Sequence, residues 1–250
     1  MTEPSFLTTR HGTRLAYHRT QGAGPGIVFL GGFMSDMEGS KALALEAWAK
    51  AEGRAFLRFD YQGHGQSDGA FADGTIGLWV RDALAALDTL TEGPQVLVGS
   101  SMGGWIALKL ARARPGRVRG LVGVAAAPDF TPRMWASLTS AQRQAITEQG
   151  FVDVPTEYGD TPYRLTRALF EDGWRERVMA SPLHLDIPVR LIQGTADPDV
   201  PWAGTLEIAK AIRGGDVEIT LVPEGDHRLS TDRDLKRLIR VTRELADSLR

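Results

Sequence analysis

Short apolar runs alternate with amphipathic stretches along most of these 250 residues, and that alternation leaves few folds open. Segments 5–9 and 13–20 alternate polar and apolar side chains like half-exposed strands. GIVFL at 26–30, RAFLRF at 54–59, QVLV at 95–98, VRGLVGVAAA at 118–127, PVRLIQ at 188–193 and DVEITLV at 216–222 are the compact runs expected of buried strands. Between them, residues 38–52, 75–91, 202–213 and 231–249 carry apolar side chains at helical spacing; Trp79, Ala83, Leu87 and Leu90 share one face. A further helix follows QVLV and is ended by Pro115. Regular β-α alternation predicts an α/β fold: a doubly wound, mostly parallel sheet with helices on both sides. The alternation breaks once, between Pro128 and Pro188. Helical patterns near 131–148 and 161–179, with no strand continuing the sheet, predict an inserted helical cap over 128–187. Without repeats or linkers, residues 1–250 read as one domain carrying that cap.

Composition closes several functions. The charges sum as 29 − 31 = −2, which argues against electrostatic capture of nucleic acid. No apolar run is long enough to span a bilayer. The first residues, MTEPSFLTTRHGTRLAY, hold no run of signal-peptide length, so the expected location is cytoplasmic. The chain has no cysteine, which removes thiolate metal sites and cysteine nucleophiles together. Covalent catalysis would need another side chain.

Gly99-Ser100-Ser101-Met102-Gly103 matches G-x-S-x-G, but so does Gly65-Gln66-Ser67-Asp68-Gly69. In a chain with 28 glycines such a match arises by chance in roughly one chain in five, so context must choose. The chemistry needs a sharp turn between a buried strand and a helix, which exposes the hydroxyl above the sheet edge. Ser101 has QVLV before it and Trp105-Ile106-Ala107-Leu108 after it. Ser67 lies in a polar loop whose glycines read as turn residues. Ser100 is one residue off register and is expected to point elsewhere.

A serine needs a base, and the base an orienting acid. In a doubly wound sheet these come from loops at the carboxyl ends of later strands. His227, just past the last strand, is the expected base; His11 and His18 lie in the first strands, His64 in a glycine turn, and His184 near the end of the cap. Asp197 follows PVRLIQ at the G-x-x-D-x-x-V-P spacing and is the expected acid. Asp199 competes, with helix capping at Pro201 as its structural alternative. Asp226 could orient the loop or be solvated, and Asp60 reads as a buried turn residue. Two backbone N–H donors are needed for an oxyanion. Met102 supplies one, and Phe33 in Gly31-Gly32-Phe33-Met34 the other.

These residues resemble the α/β-hydrolase superfamily over nearly the whole chain, and within it the palmitoyl-protein thioesterase and acyl-glucuronide esterase branch. The matching stretches are GSKALALEAWAKAEGRAFLRFDYQGHGQSDG, GPQVLVGSSMGGWIAL, RVRGLVGVAAA, PVRLIQGTADPDVPW and the DHR at 226–228. The resemblance implies the α/β-hydrolase fold, a Ser101–His227–Asp197 triad, and serine esterase or thioesterase activity without metal or organic cofactor. Its substrates would be small-molecule or acyl-protein esters and thioesters. Gly31 stands where many members have histidine, and the cap matches least. The animal relatives carry a mitochondrial leader, so this chain reads as a bacterial homologue without one. Ester and thioester cleavage share every catalytic element, and oligomeric state is not legible. The same triad also serves cofactor-free perhydrolases and lyases; a ligand-binding protein on this fold would commonly lose a triad member. In the cap, Phe130, Met134, Trp135, Leu138, Phe151, Phe170, Trp174 and Met179 are candidates for an acyl pocket or for packing. Arg133, Arg164, Arg167 and Arg175 are candidates for a carboxylated substrate or for solvated faces.

Overall fold

The computed structural model describes residues 3–156 and 162–249. In chain order the elements are β1 (Ser5–Thr8), β2 (Arg14–Thr20), β3 (Ala23–Leu30), α1 (Ser40–Ala51), β4 (Arg54–Phe59), α2 (Ile76–Leu90), β5 (Gln95–Ser100), α3 (Met102–Ala113) and β6 (Val118–Val124). Then come α4 (Phe130–Ser137), α5 (Ser140–Gln149), β7 (Phe151–Val154), β8 (Tyr163–Thr166), α6 (Arg167–Arg175) and β9 (Leu183–His184). β10 (Val189–Gly194), α7 (Trp202–Ala211), β11 (Ile212–Arg213), β12 (Val217–Val222) and α8 (Asp232–Asp247) complete the chain.

Among the described residues, eight strands form one sheet in the order β1-β2-β4-β3-β5-β6-β10-β12. β1, β2 and β4 pair antiparallel, and every neighbour from β4 to β12 pairs parallel. This is the α/β-hydrolase arrangement expected from the sequence. β3 lies between β4 and β5, so successive connections leave it toward opposite edges. Such a reversal opens a crevice at the carboxyl ends of β3 and β5, where ligands bind in doubly wound sheets.

The continuous apolar strands arise because both sheet faces are covered. Along β3, Ile27 and Phe29 join Leu45, Trp48 and Ala49 of α1 and Leu238, Val241 and Leu245 of α8. Val28 and Leu30 point the other way, into Trp79, Ala83 and Leu87 of α2 and Trp105, Ile106 and Leu110 of α3. Side chains alternate across a strand, so a helix on each face favours apolar residues at successive positions.

Residues 128–187 contribute no described strand to the large sheet, but they are not wholly helical. The pattern near 131–148 resolves into α4 and α5. The pattern near 161–179 contains β8, paired antiparallel with β7, before α6 begins. Four-residue strands are too short to show a period of two against a helical background. α5 ends where Gly150 takes a φ of 91°, a left-handed helix cap that turns the chain into β7. The start of the 161–179 pattern, residue 161, lies outside the described residues. The segment is pinned to the α2–α3 side. Asp172 accepts from the Gly77 N–H at 2.7 Å, and the Glu176 carbonyl accepts from Trp105 Nε1 at 3.3 Å.

Candidate active site

Ser101 stands between β5 and α3 with φ 53° and ψ −117°. A non-glycine residue is costly there and persists only where its surroundings enforce it. The flanking glycines show how: a Cβ on Gly103 would lie 2.0 Å from the Leu30 carbonyl oxygen, and one on Gly99 2.4 Å from the Gly103 carbonyl oxygen. The Ser101 N–H donates to Val124 O, and its carbonyl accepts from Gly104 and Ala127. The backbone is thus locked on both sides with the side chain left over.

That side chain meets His227. His227 Nε2 lies 3.1 Å from Ser101 Oγ, and His227 Nδ1 lies 2.8 Å from Asp197 Oδ2. Asp197's side chain has no exposed area. Its Oδ1 accepts from the Asp199 and Val200 amides at 2.9 and 2.8 Å, and its Oδ2 also accepts from Gln193 Nε2 at 2.9 Å. Burial pushes this carboxyl up. The hydrogen bonds from His227, Val200 and Gln193, with the His227 charge, outweigh burial and hold it below the usual range. Both Asp197 oxygens and both His227 nitrogens are therefore engaged. Asp197, Asp199 and His227 bring ligand-type atoms within 4.8 Å of one another, but two of the three are committed to this relay.

Gln193 escaped the sequence reading, which treated it as part of a strand. It is fully buried, donates also to the Gly194 and Val200 carbonyls, and accepts from Thr205 Oγ1. A polar residue ending an otherwise apolar strand just before a candidate acid is the signal that could have found it.

The loop after β3 lies against the serine. A Cβ on Gly32 would come within 3.4 Å of Ser101 Cβ, and the neighbouring Phe33 borders the same cavity as Ser101. The Phe33 ring is held edge-on by Phe71 and Trp79 from the core and by Phe130 and Tyr163 from the inserted segment, at centroid distances of 4.8–5.9 Å. Met102 heads α3, where the first N–H groups have no intrahelical acceptor.

A cavity of about 680 Å³ opens over Ser101 and His227. Phe130, Arg133, Met134 and Tyr163 line it from the inserted segment, and Gly32, Phe33 and Lys41 from the sheet side. Of the cap residues singled out in the sequence, Trp135, Phe170 and Trp174 instead border a separate cleft. Arg133 is the arginine of the four that reaches the cavity. Arg164 pairs with Asp153, Arg175 with Asp172, and Arg167 donates to the Ile146 and Thr147 carbonyls.

The competing residues have structural work. Ser67 Oγ accepts from the Ala16 N–H at 2.8 Å and donates to the Asp60 carbonyl at 2.7 Å. Buried Asp60 accepts from the Met37 and Gln66 amides. His64 sits among Tyr61, Phe71 and Trp79, and burial lowers its pKa to about 4. His11 accepts from Arg10, His18 faces Glu38, and His184 is exposed in β9.

Three further residues weighed in the sequence find these places. Ser100 is buried at the cavity wall, and it is Ser101 that His227 reaches. Asp199 does not cap α7, which starts after Pro201 with no side-chain cap; it lines the cavity instead. Asp226 fits both of its readings: it is exposed, and it orients its loop by accepting from the Leu229 N–H at 2.8 Å.

Known proteins resemble this chain in both sequence and fold. Residues 26–168 match the family described as serine aminopeptidase, S33. The mouse mitochondrial palmitoyl-protein thioesterase ABHD10 is 40% identical over 246 residues, 98% of this chain and 83% of the relative. The solved mouse ABHD10 structure superposes with a TM-score of 0.92 over 100% of both chains, at 39% identity. A putative hydrolase from Agrobacterium vitis S4 superposes with a TM-score of 0.93 at 40% identity, over 98% of both chains. By sequence and by fold, this chain belongs to the α/β-hydrolase family.

Proposed function

We propose that this protein is a serine hydrolase that cleaves carboxylic esters or acyl thioesters through an acyl-enzyme on Ser101. The observation that carries this is the unbroken chain from Ser101 Oγ through both His227 nitrogens to a buried, four-fold hydrogen-bonded Asp197. His227 takes the hydroxyl proton as Ser101 attacks the acyl carbonyl. Asp197 holds the Nδ1–H tautomer and stabilises the imidazolium that forms. The amides of Phe33 and Met102 receive the oxyanion, aided by the positive end of α3. His227 then protonates the departing alkoxide or thiolate. In the second half it activates water, which releases the acid and restores Ser101. No step calls for a metal or organic cofactor.

Residues 128–187 act in this proposal as a cap that shapes the acyl pocket. Phe130, Met134 and Tyr163 offer it apolar surface, and Arg133 offers a cation for an acidic substituent. The name of the ABHD10 relatives favours acyl thioesters, acyl-proteins among them. The test is fluorophosphonate labelling of the wild type and Ser101→Ala, beside a p-nitrophenyl ester chain-length series and a matched thioester. Labelling and turnover should vanish in the variant. Equal labelling of both proteins, or no turnover of any ester or thioester by the wild type, would overturn the proposal.

A further inference from the structure

The relay holds only if the loop between β12 and α8 keeps His227 in place. That loop has little regular structure, and Glu224 and Leu229 take φ angles of 57° and 45° within it. Two of its pins are near at hand. The Glu224 N–H donates to Thr195 Oγ1 at 3.0 Å, and the Leu229 N–H to Asp226 Oδ1 at 2.8 Å. A third comes from far along the chain. Lys41, the second residue of α1, donates from Nζ to the carbonyl of Arg228, the residue after His227, and lies 3.5 Å from Ser230 Oγ. Lys41 also borders the cavity shared by Ser101 and His227. α1 in turn follows directly on the loop that carries Phe33.

We propose that Lys41 is a positioning residue: by tying the His227 loop to α1, it keeps His227 Nε2 within hydrogen-bond reach of Ser101. This rests on the roles proposed above for Ser101 and His227. A lysine placed only for solubility would extend into water. This one is partly buried, and burial lowers its pKa to about 8, against the opposing pull of Asp226 and Asp234 and with a further lowering by Arg228. His227 faces the same cavity from the loop that Lys41 holds. As pH rises through about 8, the ammonium becomes an amine, a weaker donor to the Arg228 carbonyl. The tether loosens while the chemical groups remain.

The test compares Lys41→Met and Lys41→Arg in the whole protein, with p-nitrophenyl butyrate turnover and fluorophosphonate labelling rates followed from about pH 6 to about pH 10. Lys41→Met should lower kcat and labelling rate roughly 10- to 100-fold, because small displacements of a reacting group are costly, with KM within about twofold of wild type. Lys41→Arg should regain most of the activity and move the alkaline limb of the wild-type profile from near 8 to higher pH. Wild-type kcat and labelling in Lys41→Met would overturn the proposal. So would an intact kcat with a raised KM, since that marks a substrate contact. If Lys41→Met does not fold, Lys41→Arg decides: an alkaline limb left unmoved refutes the role. Turnover surviving in Ser101→Ala would instead defeat the underlying mechanism, so the two failures are distinguishable.

Discussion

Replacing Gln193 by leucine isolates the support behind the candidate acid. The substitution keeps the side chain apolar-compatible and close in size at a fully buried position, but removes its whole amide. Asp197 falls from four donors to three, keeping His227 and the Asp199 and Val200 amides. Thr205, 2% exposed, loses the acceptor for its hydroxyl. A hydrogen bond to a charged group contributes about 1.5–3 kcal/mol, and a buried unpaired hydroxyl costs about 1–3 kcal/mol. The added apolar surface returns about 1 kcal/mol. The net loss is about 1.5–5 kcal/mol, and at about 2–4 °C per kcal/mol for a domain of this size the melting temperature drops by roughly 3–20 °C. Fluorophosphonate labelling should slow several-fold, because the imidazole is less firmly oriented. Thermal unfolding and labelling rates on the same preparation read both effects. A Gln193→Leu protein within about 0.5 kcal/mol of wild type that labels at the wild-type rate would refute this account of the acid's support.

Two further outcomes follow from groups outside the relay. Ser67→Ala should lose about 1–2 kcal/mol of stability by leaving the Ala16 N–H without its acceptor, yet keep its labelling rate; loss of labelling in a folded variant would restore Ser67 as a nucleophile. Asp82 has its carboxyl pushed by burial up to about 6, above the ordinary 3.8, so the folded state binds the extra proton and stability rises as pH falls from about 6 toward 4. Asp197 and Glu46, both held low, act in the opposite sense and lose their contribution only as pH falls below the usual carboxylate range. Asp82→Asn can still accept from the Gln62 N–H, so it should be at least as stable as wild type at pH about 7 and lack the rise between about 6 and 4 in denaturant midpoints. An unchanged pH dependence in that variant would contradict the placement of the buried charge.

Much of the layout was legible before any coordinates. Strand and helix positions follow from hydrophobic period, and the order Ser, Asp, His follows from loops at strand ends. The polar supports were not legible in the same way. Arg58 reads as one residue of an apolar strand, but it is 5% exposed and binds Glu46 at 2.9 Å and Glu38 at 2.6 Å beneath the Phe33 loop. Gln193 and Lys41 were likewise unremarkable letters. A buried polar group is defined by its partners, and these come from elements far apart in sequence: Lys41 reaches Arg228 across 187 positions. The β7–β8 hairpin was missed for a related reason, since its two short strands are specified by pairing with each other within a helical background.

By itself, the alternation of strand and helix determined a two-sided parallel sheet, because strands covered on both faces are mostly apolar along their length. The glycines around Ser101 likewise marked a turn that tolerates no Cβ. The strand before Ser101 and the helix after it already favoured Ser101 over Ser67; tertiary structure decided that its hydroxyl meets a histidine. Ser67 has a motif of the same spelling, but its hydroxyl is used up between Ala16 and Asp60. Ser101 faces His227 because the reversal of strand order brings the ends of β3 and β5 to one crevice, and the β10 and β12 loops close over it. Reactivity depends on distances between side chains that only folding brings together, so sequence context named the serine and the packing supplied its partners.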